Sequence, residues 1–477
     1  MLSLVVAAVP AAEHRRCRAL GFVGSSCVAL GGLAAGALPV RATLTPVRDL
    51  GDLRGYATLG LACTYFGLAL LVLAWWWLGT IRPPARGLLV TFAVWAGPLV
   101  LGPPLFSRDV YSYLAQGQMV GAHIDVYQYG PAALGGNLAA QVPAIWQTTP
   151  TPYGPVFLAL ATRVARLADG HVAGGVLGMR AIALLGVVLL AACLPRLARA
   201  CGVDPSPAVW LGLLNPLVLL HLVAGAHNDA VMLGLLVAGL VLALDRRPAL
   251  GAVLVTLAAL VKAPAALGLL VVAAIWAGQF AGRWRWPRAL GAAGATGLAT
   301  TVLATGVAGT GYGWIAALST PISATNWSVT SALGRLTGLV LDTHLGVSAW
   351  RWIGLGAVGA IGVVVWLRRE QLGVVHALGL CLAATAVLGP ALRTWYLLWG
   401  LVPIAAAAPA GAVRRWAAAA SGLLALAVLP DGFGPDPQRL AVSLAGGAVA
   451  LVAVWWWATG TDLAVGPRLD AVGYRLW

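Results

Sequence analysis

Apolar runs of membrane-spanning length follow one another along the whole of this chain. About fourteen such runs occupy its 477 residues, separated by short polar or charged clusters. Only 9% of the residues are charged, whereas a soluble protein averages about 25%. So little polar surface cannot cover a soluble globule. The pattern therefore predicts an all-α polytopic membrane protein, built as one domain over residues 1–477 with about 13–14 transmembrane helices.

The formal charge of +15 indicates membrane orientation and not a nucleic-acid partner. All basic residues except Lys262 are arginines, and they lie in short clusters between the apolar runs. Arginine-rich loops are typical of the cytoplasmic side of a membrane protein. This rule predicts that 107–170 forms a large external loop and that 460–477 is a cytosolic tail. Within the loop, the sequence from Pro155 onward predicts a helix that lies in the outer interface of the membrane.

The stretch from Ser107 to Pro131 is far more polar than its neighbours and directly follows an apolar run. It contains two aspartates and four tyrosines, and Asp109 lies three residues past the end of that run. A carboxylate at this position, where a membrane helix meets water, can act as a general base. The alternative is that Asp109 caps the helix that follows it, although Ser107 could serve as the cap instead.

The predicted topology brings other unusual polar residues to the same outer face. Lys262 sits beside a proline inside a long apolar stretch, where a charge is costly and indicates a functional site. It could bind the phosphate of a lipid-linked donor, together with Arg393 and His227. The candidates for sugar or acceptor binding are Tyr111, Tyr113, Gln116, Asp125, Tyr127, Tyr153, Asn228, Asp229, Trp395 and Tyr396.

Two of these assignments have simpler structural interpretations. Asn228 or Asp229 could cap the helix that follows the His-Asn-Asp turn. Arg393 could be an interface residue that extends its charge toward water. No nucleotide-binding motif and no sizeable soluble domain are present, so a donor would arrive within the bilayer. No acidic pair suited to a metal is evident, and neither a metal nor a cofactor is expected.

Five segments carry a family resemblance: SRDVYSYLAQGQMVGAHIDVYQYGP, TPYGPVFL, NPLVLLHLVAGAHNDAVMLGLLVAG, LVKAPAALGLL and RTWYLLW. Over roughly residues 85–400 the chain resembles the actinobacterial polyprenol-phosphate-mannose-dependent α-1,6-mannosyltransferases of the MptB/MptA type, which belong to the GT-C superfamily. The family's Asn-Pro-Tyr or Asp-Pro-Tyr is Asp125-Val126-Tyr127 here.

The resemblance implies a GT-C-type helical bundle and an inverting transfer with Asp109 as the base. The donor would be polyprenyl-phosphate-mannose and the acceptor an α-1,6-mannan glycolipid of the lipomannan core. The reaction would take place at the outer face of the plasma membrane.

Two alternatives remain open at the level of sequence. A GT-C transferase that uses another polyprenyl-phosphate sugar would show much the same pattern. A transporter or flippase of lipid-linked sugars would more often show internal repeats and ionisable groups near the midplane. The concentration of polar residues on one predicted face favours the transferase.

Overall fold

A computed structural model describes residues 2–40, 53–320, 326–432, 434 and 436–460 of the chain. It is 77% helical, and the described residues contain no strand, which confirms the all-α polytopic prediction. Within these described ranges, six helices are long and apolar enough to cross a membrane, or up to seven if the helical segments 218–224 and 229–244 count as one span. The predicted total of 13–14 spans stays a prediction, as does the cytosolic tail, of which 461–477 lies outside the described residues.

The α-helices are numbered in chain order. They are α1 (Leu2–Ala35), α2 (Ala57–Ile81), α3 (Ala85–Leu101), α4 (Asp109–Gly121), α5 (Gly136–Ala140), α6 (Pro155–Ala168), α7 (Val172–Ala200), α8 (Pro205–Gly212), α9 (Asp229–Leu244), α10 (Pro248–Ala259), α11 (Gly268–Ala277), α12 (Arg285–Ala308), α13 (Trp314–Ala317), α14 (Val329–Leu341), α15 (Gly346–Leu367), α16 (Arg369–Leu372), α17 (Val374–Leu388), α18 (Leu397–Ala407), α19 (Ala412–Leu426) and α20 (Pro437–Gly460).

The first of two compact units comprises Met1–Val110, Pro205–His227 and Pro409–Trp477. Its helices α1 and α2 approach so closely that a Cβ on Gly31 or Gly60 would collide with the backbone of the other helix. Small residues at such crossings let membrane helices pack without a hydrophobic driving force. A π-helical segment, Val218–Ala224, completes this unit and leads to His227.

The second unit comprises Tyr111–Asp204 and Asn228–Ala408. Helices α7 and α9 pack through Gly186 and Gly234, where again a Cβ would meet backbone atoms. The prediction of a single domain over 1–477 stays a prediction.

The apolar stretch around Lys262 is broken, as the sequence predicts. Helix α10 ends at Ala259, and α11 begins only at Gly268 after the 3-10 helix Ala263–Leu267. Lys262 precedes that short helix in an extended conformation, with φ −153° and ψ 122°. Because Pro264 lacks an N–H, it cannot continue an α-helical hydrogen-bond ladder. The break places the lysine at a helix end and not in mid-helix.

The segment predicted as a large loop, 107–170, is itself largely helical and contains α4, α5 and α6. The helix predicted from Pro155 is α6, with the proline in its first turn. Phe157, Leu158 and Ala161 of α6 are buried, whereas Leu167 is 88% exposed. The interfacial position of this helix stays a prediction.

Candidate active site

The candidate general base, Asp109, is the first residue of α4 in the first unit. Ser107 Oγ accepts a hydrogen bond from the Asp109 backbone N–H at 3.1 Å. Ser107 thus makes a backbone contact of the kind that a cap residue makes, so the carboxylate of Asp109 is not required for it. The Asp109 side chain is 20% exposed. A carboxylate at the start of a helix is also favoured by the helix dipole, while its exposure leaves it open to a ligand.

The segment in front of Asp109 is braced by the stretch that follows α19. Phe106 donates its N–H to the Pro430 carbonyl at 2.7 Å, and Arg108 Nε donates to the Asp431 carbonyl at 3.4 Å. Gly432 adopts a φ of +83°, and a Cβ there would lie 3.0 Å from the Ser107 Cα. Only a glycine meets both conditions without strain. These contacts fix the backbone from which Asp109 projects.

His227 lies beside Asp109 within the same unit. Its Nδ1 is 3.6 Å from Asp109 Oδ2, and its side chain is fully buried. This separation exceeds a hydrogen bond but permits a charge interaction when the imidazole is protonated. The ring of His221 follows at a centroid distance of 5.9 Å. The structure therefore places His227 next to the candidate base, and its predicted contact with a phosphate stays a prediction.

A second charged cluster forms in the second unit around Asp229. Lys262 Nζ donates to Asp229 Oδ2 at 2.8 Å, and Trp399 Nε1 donates to Asp229 Oδ1 at 2.6 Å. The Asp229 side chain is completely buried, and that of Lys262 is 11% exposed. Burying a carboxylate is costly unless both oxygens find partners. Asp229 meets this condition and holds the ammonium group of Lys262 in place.

Aromatic rings surround the Lys262 ammonium. Its Nζ lies 4.6 Å from the ring centroid of Tyr396, 5.5 Å from that of Trp399 and 5.9 Å from that of Tyr153. Tyr396 and Trp399 stack with centroids 4.1 Å apart. Such ring faces stabilise a cation that has lost part of its hydration. Lys262, Tyr153 and Tyr396, all predicted as site residues, thus meet in one cluster.

Asn228 occupies the N-cap position of α9, but its side chain makes no capping hydrogen bond. It is 1% exposed, and neither polar atom of its amide has a hydrogen-bond partner among the described residues. The simple capping interpretation of the His-Asn-Asp turn is therefore not supported at Asn228. Buried amides are nearly always hydrogen-bonded, which leaves capacity here for a ligand or water.

Two other predicted residues lie close to the aromatic cluster along the chain. Trp395 is 6% exposed and packs edge-on against Tyr396 at a centroid distance of 5.7 Å. Arg393 Nη2 donates to Asn326 Oδ1 at 3.4 Å, and its guanidinium lies 5.9 Å from the ring centroid of Trp146. These contacts tie Arg393 to neighbouring protein groups, so it is more than an interface charge directed at water.

The remaining predicted residues of the 107–170 segment make mainly structural contacts. Gln116 Oε1 accepts from the Thr151 hydroxyl at 3.1 Å, and exposed Asp125 accepts from the Tyr127 N–H at 2.9 Å. Tyr127 donates its hydroxyl to the Tyr153 carbonyl at 3.1 Å. Burial raises the pKa of the Tyr127 hydroxyl to about 12, so it stays protonated at neutral pH. Tyr111 and Tyr113 of α4 are both buried.

Two residues of these clusters were not predicted from the sequence. Trp399 lies three positions after Tyr396, a spacing that places both on one helix face. The spacing could have identified Trp399 as a member of the site. The local sequence around His221 contains no comparable pattern that would identify it. Among the described residues, no group of three His, Cys, Asp or Glu side chains is arranged to hold a metal ion.

Comparison with known proteins covers most of the chain. The family model "Alpha-(1->6)-mannopyranosyltransferase, N-terminal domain" matches residues 18–278, and the "MptB C-terminal domain" model matches residues 322–458. The first match includes Asp109, His227, Asp229 and Lys262, and the second includes Trp399.

Individual relatives agree with the family models. A probable alpha-(1->6)-mannopyranosyltransferase of Mycolicibacterium smegmatis is 36% identical over 82% of this chain and 79% of its own. Alpha-(1->6)-mannopyranosyltransferase A of Mycobacterium tuberculosis is 34% identical over 87% and 84% of the two chains. Alpha-(1->6)-mannopyranosyltransferase B of Corynebacterium glutamicum is 33% identical over 92% and 81%. No solved structure matches the chain.

Proposed function

Since this chain belongs to the MptA/MptB family of membrane mannosyltransferases, we propose that it transfers mannose from polyprenyl-phosphate-mannose to an α-1,6-mannan glycolipid. The names of the relatives specify an α-1,6 bond. The apolar composition and the absence of a sizeable soluble domain support a donor that arrives in the membrane. The runner-up is transfer from another polyprenyl-phosphate sugar by the same route.

The partly exposed carboxylate of Asp109 beside buried His227 carries this proposal. The acceptor 6-hydroxyl attacks the anomeric carbon of a β-linked mannosyl phosphate. Its proton passes to the Asp109 carboxylate as the new carbon–oxygen bond forms. The bond to the phosphate oxygen breaks on the opposite side, so the product has the α configuration. The lipid phosphate departs with the electron pair of that bond and needs positive charge more than a proton.

Lys262 is the residue best suited to the donor phosphate. Its ammonium has three N–H donors, and Asp229 Oδ2 accepts one hydrogen bond from it. In surroundings with little water a phosphate interacts with such a cation far more strongly than in bulk solvent. Arg393 and His227 remain further candidates for the same anion. The leaving phosphate gains negative charge, and the cation would stabilise that change.

The sugar and acceptor groups have candidate partners of two kinds. The aromatic faces of Tyr153, Trp395 and Tyr396 offer surfaces for a pyranose ring. Asn228 has an amide that can serve sugar hydroxyls, since it meets no partner among the described residues. Asp229 is proposed to act through Lys262. The part of the site that binds the acceptor would be formed by Tyr111, Tyr113, Gln116, Asp125 and Tyr127.

The proposed site faces the outer side of the plasma membrane. Support comes from the arginine clusters, which the positive-inside rule assigns to the cytoplasm. The test uses single cysteines, Asn137→Cys and Arg246→Cys, in a background without reactive native cysteines. An impermeant thiol reagent added outside intact cells should label position 137 and miss position 246. Equal labelling of both positions would overturn the orientation.

The activity itself is tested with purified protein in lipid nanodiscs. Polyprenyl-phosphate-mannose and a short α-1,6-mannoside should give an acceptor extended by one α-1,6-linked mannose. GDP-mannose, a soluble nucleotide sugar, should give none. Transfer from polyprenyl-phosphate-glucose or -arabinose instead would establish the runner-up. In proteoliposomes, movement of intact donor lipid without bond formation would establish a flippase.

A further inference from the structure

A cavity of about 560 Å³ is lined by residues of the first unit. Its walls come from the end of α1 and the residues up to Val40, from the start of α2 and Arg54 before it, and from Asp431 and the start of α20. All three helices are long and apolar enough to cross a membrane. A cavity at the ends of spanning helices sits at the depth of lipid headgroups.

The polar half of this cavity carries more positive than negative charge. Three arginines, Arg54, Arg108 and Arg439, line it together with two aspartates. Asp431 Oδ2 accepts from Arg439 Nη2 at 2.5 Å, and Asp436 Oδ1 accepts from the Arg439 backbone N–H at 2.9 Å. Both carboxylates thus accept hydrogen bonds from Arg439. The cavity contains one more guanidinium group than carboxylates. Guanidinium groups suit phosphate because their planar donors match its oxygens.

The other half of the cavity is apolar. Ala57 and Leu61 of α2 and Val442 of α20 contribute to its walls. A cavity of this size falls within the ~300–1,000 Å³ range of small-molecule sites. Cationic groups on one side and aliphatic groups on the other fit an amphiphile whose phosphate lies next to an apolar portion.

We propose that this cavity binds the phosphate headgroup of an anionic membrane lipid. The bound lipid contacts the segment that carries the candidate base, because Arg108 directly precedes Asp109 in the sequence. Arg108 also donates to the Asp431 carbonyl, and the Asp431 carboxylate binds Arg439. A headgroup seated among these side chains would stabilise the bracing of the residues before α4. This lipid site stands independently of which sugar the protein transfers.

The experiment measures lipid binding and needs no turnover. The full-length protein in neutral detergent is titrated with phosphatidylglycerol, with phosphatidylcholine as the uncharged comparison, and retained lipids are counted by native mass spectrometry. Phosphatidylglycerol should bind at least about fivefold more tightly, since one basic residue near a membrane surface contributes ~1 kcal/mol toward an anionic lipid. Equal binding of the two lipids would overturn the proposal.

Two variants test the cavity as the place of binding. Arg54→Gln removes one exposed charge, whose Nη2 donates to the Pro39 carbonyl, and should weaken phosphatidylglycerol binding about fivefold. Ala57→Trp leaves every charge intact and fills the cavity, so it should abolish the specific binding. Arg283→Gln is the matched control, since Arg283 is also exposed but lies in the second unit. Unchanged binding in Ala57→Trp would contradict the proposal even if Arg54→Gln failed to fold.

A third arm distinguishes the source of the phosphate. Inorganic phosphate at millimolar concentration should leave phosphatidylglycerol bound, because it lacks the apolar portion. Displacement of the lipid by inorganic phosphate would overturn the assignment to a membrane lipid and identify a soluble phosphate ligand. Loss of mannosyl transfer with lipid binding intact would count against the proposed function alone.

Discussion

Asp109 and Asp229 each have a basic side chain beside them, but they differ in burial and in how closely that side chain approaches. Asp109 lies 3.6 Å from His227 and is 20% exposed. Asp229 lies 2.8 Å from Lys262, accepts a second bond from Trp399, and is completely buried. A buried carboxylate with both oxygens occupied is poorly placed to take a proton from a substrate. A partly exposed carboxylate whose basic neighbour lies beyond hydrogen-bond distance can approach a hydroxyl and accept its proton.

Asp109 and Asp229 have different proposed roles, although both are aspartates with a basic neighbour. Asp229 fixes the position and charge of Lys262, the cation proposed for the lipid phosphate. Asp109 is proposed to accept the proton of the acceptor 6-hydroxyl. Substitutions at the two carboxylates and their partners should therefore affect different measurable quantities. Changes at Asp109 should lower the chemical rate, and changes at Asp229 or Lys262 should lower donor affinity and stability.

The largest effect is expected at Asp109. Asp109→Asn keeps the size of the side chain but removes the base, so the turnover number should fall by roughly 10²–10⁴. The thermal unfolding temperature should stay close to that of the unaltered protein. Asp169→Asn, an exposed change at a left-handed position that asparagine tolerates, is the matched control and should keep full activity. Near-native turnover in Asp109→Asn would demote Asp109 to a structural residue.

Lys262 should show the second-largest effect, and on different quantities. Lys262→Met keeps the aliphatic stem and deletes the charge, so donor affinity should fall by about 10- to 100-fold, the worth of one hydrogen bond to a charged group. The variant leaves Asp229 buried without its cation, which should cost about 3–5 kcal/mol of stability.

The double variant Lys262→Met/Asp229→Asn separates these two consequences. It removes both charges and should recover much of the lost stability, while donor affinity stays low. Measured quantities are the unfolding temperature and donor binding at equilibrium. Donor affinity that returned with stability would show that Lys262 only supports the fold.

Trp399 tests the second partner of the buried carboxylate. Trp399→Phe keeps the stacked ring against Tyr396 but removes the N–H that binds Asp229 Oδ1. One unsatisfied carboxylate oxygen should cost about 1–3 kcal/mol, seen as a lower unfolding temperature. Trp416→Phe, at a residue 76% exposed, is the control and should leave stability unchanged. Equal stability in the two variants would argue against a rigid Asp229 cluster.

Gly432 should give the smallest effect, confined to the Asp109 side. Gly432→Ala puts a Cβ at a φ of +83° and 3.0 Å from the Ser107 Cα, a strain of about 1 kcal/mol. The displaced backbone should reduce turnover severalfold while donor affinity is retained. Gly434→Ala meets no atom within 4 Å and serves as the control. A loss of donor affinity in Gly432→Ala would show that the two regions are not separable.

The fold class followed from the sequence because scarce charge and repeated apolar runs admit only a helical membrane protein. The helix break at Lys262 also followed, since Lys262-Ala263-Pro264 interrupts an apolar stretch with local signals. Local chemistry of this kind can be read directly from neighbouring residues.

The pairings within the site could not be predicted in the same way. Asp229 is separated from Lys262 by 33 positions and from Trp399 by 170. Helix packing decides such contacts, and no local pattern encodes them. The 3.6 Å approach of His227 to Asp109 could therefore not be predicted, and the contact of His227 with a phosphate stays a prediction. His227 and Asp229 are only two positions apart but belong to different compact units, a division that the local sequence does not show.

The division of roles is tested most directly by a single-turnover experiment on Asp109→Asn. The variant is loaded with radiolabelled polyprenyl-phosphate-mannose, donor binding is measured at equilibrium, and an excess of α-1,6-mannoside acceptor then starts the reaction. Donor binding should equal that of the unaltered protein, and the transfer rate should be lower by roughly 10²–10⁴. Donor binding lost together with transfer, or a transfer rate near that of the unaltered protein, would contradict the assignment of Asp109 as the base.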